Sequence, residues 1–224
     1  MAIDKLTLNG TDIQTTCGFY LNWRRLSAPE PQIEMVAIPG SDRAVDLTET
    51  FGDVYYNQRT IEMGMTHPSD SWIADYDYML ANFHGKICTI VFNNDPNWYW
   101  SGRVIISEYD SKTHKLSMVA TVFPYKLASA LTTVSKTVSG VTQQNAQTVT
   151  LTKSRLKLSP KVTVVTADDS DYVTIRWSVG SGTATKAMSA GTYYIKGLKV
   201  GSSDVTIDVW GTGTITFEYR KGTL

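Results

Sequence analysis

A period-two alternation of apolar and polar residues dominates the C-terminal half of this 224-residue chain. In 173–179 the odd positions are apolar, and 204–210 and 214–220 repeat the pattern. Such alternation is typical of β-strands with one buried face. Gly211-Thr212-Gly213 separates the last two segments and predicts a hairpin turn between them. Together with a change of parity that predicts a bulge or break near Ser154, the pattern favours an antiparallel β-sandwich or jelly roll.

The N-terminal half predicts more strands and one helix. Residues 60–66 and 115–123 alternate, and apolar segments at 87–92 and 104–109 predict two further strands. Between the predicted strands at 60–66 and 87–92, apolar residues at helical spacing predict one amphipathic helix that ends before Gly85. The residues of its apolar stripe are Trp72, Ile73, Tyr76, Met79, Leu80 and Phe83. We therefore expect a mainly β chain whose N-terminal domain is a β-sandwich or barrel-like fold with one α-helix.

Charge divides the chain near Leu127. The whole chain is neutral, with 21 basic and 21 acidic residues. Residues 1–127 contain 15 acids and 10 bases, whereas 128–224 contain six acids and 11 bases. Such a shift in composition indicates a domain boundary. We predict domains at 1–127 and 128–224, with 128–140 as a linker that leads into the first strand of the second domain.

Composition also argues against several classes of protein. A neutral chain has no overall electrostatic attraction to nucleic acid or to an anionic membrane. Its longest strongly apolar run, 87–92, is far shorter than the roughly 20 residues of a membrane-spanning helix. The first ten residues contain no secretory signal pattern. Two cysteines, Cys17 and Cys88, are too few for a disulfide framework in a chain of this length, and we expect both to be reduced.

The sequence contains no recognisable catalytic or metal-binding pattern. His67, His84 and His114 lack the spacing of metal ligands. Neither cysteine is directly flanked by a basic residue that would activate its thiolate. We therefore predict no catalytic residue, no metal, no cofactor and no enzymatic activity.

Six short segments of the N-terminal half follow one another in a characteristic order: 38–40, 45–49, 51–59, 83–86, 94–103 and 123–126. In the order and spacing of these segments, the chain from Ile38 to Tyr125 resembles the distal tail proteins of long-tailed siphophages. In place of the Asp-Pro-Tyr that often closes the family's first domain, this chain has Phe123-Pro124-Tyr125. The second domain shows no family segment, although a β-sandwich there agrees with the galectin-like domain of the family.

The resemblance implies a structural role in the virion. Members of the family form a hexameric ring, the hub of the tail tip, through which double-stranded DNA passes without specific binding. The implied partners are sister copies of the chain, the major tail tube protein on one face and the tail-associated tip protein on the other. A receptor-binding protein or a cell-surface saccharide is a further candidate partner. The chain would be made in the host bacterial cytoplasm, with no membrane insertion, and end at the tail tip.

A ring requires contacts between copies, and one segment suits that role. Residues 40–59 are polar and aromatic without a clean core period, which predicts a hairpin or arm packed on a neighbouring subunit. An ordinary long loop within the domain remains the alternative. We assign Leu47, Phe51, Tyr55 and Tyr56 as apolar contacts and Asp46 and Arg59 as charges that set the register. The excess of acids in 1–127 further predicts a channel lined mostly by Asp and Glu, which would hold DNA off the wall.

Two aromatic residues of the second domain suggest a ligand or partner contact. Trp177 shares the apolar parity of its strand and is predicted to lie in the core. Trp210 and Tyr194 are out of phase with their apolar neighbours and are predicted to point outward, where they could stack on a sugar or fill a protein pocket. Alternatively, Trp210 folds over the rim of the core. A carbohydrate-binding adhesin that uses these residues is therefore the alternative function.

Overall fold

The structure is a computed structural model that describes residues 4–50, 53–70 and 72–224. The chain divides into two compact units, of which the first ends at Lys126 and the second runs from Leu127 to Thr223. Both units are built mainly from antiparallel strands, so the predicted fold class is confirmed.

The first unit contains nine strands and two helices among its described residues. Its sheet has the order β2-β1-β7-β8-β9-β6-β3, and β4 and β5 form a separate pair. The elements are β1 (Leu6–Leu8), β2 (Thr11–Asp12), α1 (Ile13–Cys17), β3 (Tyr20–Leu26), β4 (Met35–Ala37), β5 (Ala44–Asp46), β6 (Arg59–Thr66), α2 (Trp72–Phe83), β7 (Ile87–Phe92), β8 (Trp98–Asp110) and β9 (Lys115–Val122).

The core of the first unit follows the alternation of its strands. The apolar residues of β6 and β9 that the period assigns to the buried face are all buried. The predicted helix is α2, which adds Met79 and Phe83 to the core. Ile73 does not lie in the predicted stripe, since 59% of it is exposed. At this end of α2 the Trp72 ring packs on the Tyr109 ring, with centroids 4.0 Å apart. Trp72 therefore makes the contact with the sheet here, and the next residue, Ile73, remains exposed.

The second unit is a β-sandwich whose inward residues form one core cluster. Trp177 is buried in it, as predicted. The predicted break at Ser154 is also confirmed, because the strand that contains Val149 ends at Leu151 and the next strand begins only at Lys161. The elements are β10 (Lys126–Ala128), β11 (Thr132–Val141), β12 (Gln147–Leu151), β13 (Lys161–Val165), β14 (Val173–Val179), β15 (Gly182–Met188), β16 (Gly191–Tyr194), β17 (Val205–Tyr219) and β18 (Gly222–Thr223).

The predicted hairpin at Gly211-Thr212-Gly213 is wrong. Strand β17 continues through these residues for 15 residues without turning. Its first half lies between β12 and β14, and its second half lies between β11 and β13. The glycines mark the place where the strand changes neighbours: φ is +109° at Gly211 and +141° at Gly213, and a Cβ on Gly211 would lie 2.2 Å from the carbonyl oxygen of Tyr172. Glycine here permits close approach of another backbone, which is its other common role in strands.

We expect Gly211→Ala to lower the free energy of unfolding by roughly 3 kcal/mol, because the added methyl group collides with backbone at a φ that favours glycine. Gly180→Ala is the matched control, since Gly180 also has a positive φ but a Cβ added there would meet no atom within 4 Å. Urea unfolding of both variants provides the measurement. Equal losses in the two would show that the close approach at Gly211 contributes nothing.

Candidate functional site

The segment between β3 and β6, residues 27–58, leaves the main sheet and is called the arm below. At its centre β4 and β5 pair antiparallel with each other, with Val36 opposite Val45, and neither pairs with another described strand. The two sides of the arm are also joined outside these strands: the N–H of Gln32 donates to the carbonyl of Tyr55, and that of Asn57 donates to Glu30, both at 2.8 Å. The arm is thus an extended hairpin.

The arm buries little of its own apolar surface. All six residues of β4 and β5 are exposed. An isolated two-stranded hairpin is at best marginally stable in water, and an exposed apolar surface of this kind marks a site of contact with another molecule. The large apolar residues that the arm exposes are Ile33, Met35, Val36, Ile38, Val45 and Tyr55.

Five of the six residues predicted for a subunit interface fall within the arm, and the structure describes four of them: Asp46, Leu47, Tyr55 and Tyr56. Tyr55 is exposed, and Leu47 is half-buried with its N–H bonded to the carbonyl of Glu34 at 2.8 Å. Asp46 is exposed at the end of β5, and hydrogen bonds from Thr48, chiefly its side chain, hold the pKa of this carboxyl below its ordinary value. Phe51, the fifth of these residues, lies outside the described residues.

Tyr56 and Arg59, the other two predicted contacts, make their contacts inside the first unit. The Tyr56 ring meets the Tyr125 ring edge to face, with centroids 6.1 Å apart. The Arg59 guanidinium donates to the carbonyl of Ser27 at 2.8 Å and lies 4.8 Å from the centre of the Trp100 ring. Burial lowers the pKa of Arg59 from its ordinary value. These two residues therefore anchor the base of the arm.

The arm carries the whole negative charge of the first unit. Residues 27–58 contain six acids and one base, Arg43, whereas the rest of 1–127 contains nine acids and nine bases. All six acids are exposed: Glu30, Glu34, Asp42, Asp46, Glu49 and Asp53. The negative charge expected along a channel is therefore concentrated in one projecting hairpin.

The arm begins earlier in the chain than Gly40, the predicted start. The chain leaves the sheet after β3 and exposes Ile33 and Met35 before it reaches Gly40. Pro29 and Pro31 are the available signal, because proline has no N–H to donate to a ladder and is rare in a central strand.

Tyr194 and Trp210, the two residues predicted to contact a ligand or partner, differ in exposure. Tyr194, at the end of β16, is 72% exposed. Trp210 on β17 is half-buried and lies opposite Thr174 of β14. Of the two, Tyr194 presents the larger free surface.

The described residues offer no group of three or more His, Cys, Asp or Glu side chains placed to hold a metal ion. Both cysteines are buried thiols. Burial raises the pKa of Cys17 to about 11 and also raises the pKa of Cys88, so both are protonated at neutral pH. No described helix is long and apolar enough to cross a membrane.

Comparison with known proteins identifies a fold. No family model matches the chain, and no curated protein matches it. Among solved structures, the Dit protein of phage SPP1 aligns over 99% of this chain and 100% of its own, with a TM-score of 0.68 and 15% sequence identity. Its crystal structure is described as a paradigm of the hub adsorption apparatus in phages that infect Gram-positive bacteria. The resemblance predicted from the sequence is thus confirmed at the level of the fold.

Trypsin provides a direct test of the arm. We expect the free chain to be cut first after Arg43, because this base is exposed in the loop between β4 and β5 and is the only trypsin site of the arm. Mass spectrometry of the first fragments identifies the cut, and Arg43→Gln should remove it. A first cut within the main sheet would contradict the view that the arm projects from it.

Proposed function

We propose that this chain is a structural, non-enzymatic virion protein of a long-tailed phage or prophage. Six copies form the hub at the distal end of the tail, joining the tail tube to the tip complex and framing the DNA channel. The observation that supports this most is the agreement in fold with SPP1 Dit over nearly the full length of both chains. Synthesis takes place in the host bacterial cytoplasm, and the major tail tube protein and the tail-associated tip protein bind the two faces of the ring.

The arm supplies the contact that closes such a ring. In a cyclic assembly each copy offers one surface to the next copy and receives a different one from the copy behind it. An extended hairpin with exposed Met35, Val36 and Val45 would cover its apolar residues by packing on a second copy. The anchors at Tyr56 and Arg59 hold its base while the tip reaches outward.

The charge distribution suits passage of DNA. Outside the arm the acids and bases of 1–127 are equal in number, so this part of a channel wall would not hold phosphates strongly. Wherever the arms reach the channel, their six acids per copy repel the duplex. DNA thus passes without specific binding.

Arm residues that face another copy are expected to control assembly. Val36→Ser with Val45→Ser should dissociate the ring because both side chains are exposed in the single chain and lie opposite each other in the hairpin. The free energy of unfolding of the chain itself should change by less than about 0.5 kcal/mol per substitution. Native mass spectrometry of tail hubs, compared with the single chain, measures the effect.

The matched control is Val165→Ser with Val179→Ser, which removes the same atoms from exposed positions of the second unit. A hexamer that survives the arm substitutions would refute the arm as the ring contact. Electron microscopy of tails that shows this chain anywhere other than around the distal end of the channel would refute the hub itself.

A second candidate function is carbohydrate binding by the second unit, and the exposure of Tyr194 is the observation that favours it. An exposed aromatic ring can stack on the apolar face of a sugar. On a glycan array, we expect full-length protein to lose bound sugars when Tyr194 is changed to Ala. Trp210→Ala serves as the comparison, and because Trp210 is half-buried its effect should be smaller. An array signal unchanged by Tyr194→Ala would exclude a sugar site at this residue.

A further inference from the structure

The excess of bases over acids in the second unit comes from two neighbouring segments. Residues 153–161 and 194–201 contain six bases and no acid, whereas the rest of 128–224 contains five bases and six acids. We call these two segments the cationic patch. Its bases are Lys153, Arg155, Lys157, Lys161, Lys196 and Lys199.

Hydrogen bonds hold the two segments side by side. Leu158 and Val200 exchange backbone hydrogen bonds of 2.9 and 2.8 Å, and the N–H of Ser154 donates to the carbonyl of Gly201 at 2.8 Å. The Lys199 ammonium donates to the hydroxyl of Ser159 on the other segment at 2.8 Å. The bases of the two segments therefore belong to one surface.

Burial alternates so that the cations face solvent. Ser154, Ile195, Leu198 and Val200 are buried and fasten the segments to the unit. Every base of the patch except Lys161 is exposed. Like charges gathered in this way repel one another, and this repulsion lowers the stability of the folded chain.

Two acids contact residues of the patch. Lys161 pairs with Glu218 of β17 at 3.0 Å, and the carboxylate of Asp204 accepts the backbone N–H of Lys153 at 2.7 Å. Tyr194 stands at the same border, opposite Lys161 in the pairing of β13 with β16. An exposed aromatic side chain thus lies opposite Lys161, one of the bases of the patch.

This combination suits one kind of ligand. Protein–protein interfaces are depleted in lysine, and Tyr194 is the one large apolar side chain that the two described segments expose. Duplex DNA keeps its bases stacked and offers Tyr194 no free ring face. An anionic polysaccharide offers both repeated charges for the cations and sugar faces for the ring. We propose that the cationic patch and Tyr194 bind an anionic polysaccharide.

The proposal rests on the carbohydrate-binding candidate for the second unit and is independent of the ring. Its partner is defined by chemistry, as a chain of sugars with regularly repeated phosphate, sulfate or carboxylate groups. Attraction to such a chain falls with ionic strength because the cations are exposed to salt.

The test uses full-length protein and fluorescent sulfated dextran in about 0.15 M salt. We expect sulfated dextran to bind and unsulfated dextran of the same length to bind at least about tenfold more weakly. Arg155→Glu with Lys196→Glu should weaken binding of sulfated dextran by about tenfold or more. Lys112→Glu with Lys115→Glu changes the net charge equally at exposed positions of the first unit and should alter binding less than about twofold.

Tyr194→Ala separates a saccharide site from simple attraction between charges. It should weaken binding of sulfated dextran by about tenfold and leave binding of inorganic polyphosphate, which has no sugar ring, unchanged. Arg155→Gln with Lys196→Gln repeats the charge test with a milder change should the reversed pair fail to fold.

Four outcomes would overturn the proposal. These are an equal effect of the control pair, no effect of Tyr194→Ala on sulfated dextran, tighter binding of duplex DNA than of sulfated dextran, and a change in oligomeric state without a change in binding. Glycan binding that depends on Tyr194 but not on Arg155 and Lys196 would leave the carbohydrate-binding candidate standing and reject the anionic ligand alone.

Discussion

A two-stranded hairpin cannot bury both its faces by itself, and this constraint governs the first unit of the protein. The main sheet of the unit places its apolar residues in a closed core, but within the described ranges the arm between β3 and β6 has no third strand beside its central pair. Its two sides are joined by hydrogen bonds within the arm, so the arm keeps its shape while its side chains stay available. This is the property that a subunit contact in a ring requires.

Charge is also distributed unevenly along the chain. Although the net charge is zero, the arm has an excess of five acids, the rest of the first unit has equal numbers of acids and bases, and the cationic patch contains six bases. Each charged group lies on a segment that is anchored by buried or hydrogen-bonded residues. Separation of charge on this scale costs stability through repulsion within each group. Because the charged arm and the cationic patch lie at the surface and do not stabilise the core, their charge indicates roles in binding other molecules.

The two units suit different tasks. In the first, the anchors Tyr56 and Arg59 tie the arm to a rigid sheet, which favours assembly. In the second, a single long strand, β17, supports a sandwich whose border carries Tyr194 and the cationic patch. The proposed hub would need one surface that contacts sister copies and another that binds a ligand. The fold shared with SPP1 Dit provides two units that can carry these surfaces.

The sequence by itself determined which residues are buried in β6 and β9, where α2 lies and how charge is distributed, because period, helical spacing and charge are local properties of the chain. Only the tertiary structure decided which strands are neighbours. In the tertiary structure Gly211-Thr212-Gly213 is not a turn but the place where β17 changes its neighbouring strands. Ile73 is exposed beside Trp72, and the arm leaves the sheet before Ile33. The physical reason is that alternation identifies the faces of a strand but not its partners, which are selected by hydrogen bonds and packing between residues far apart in the chain.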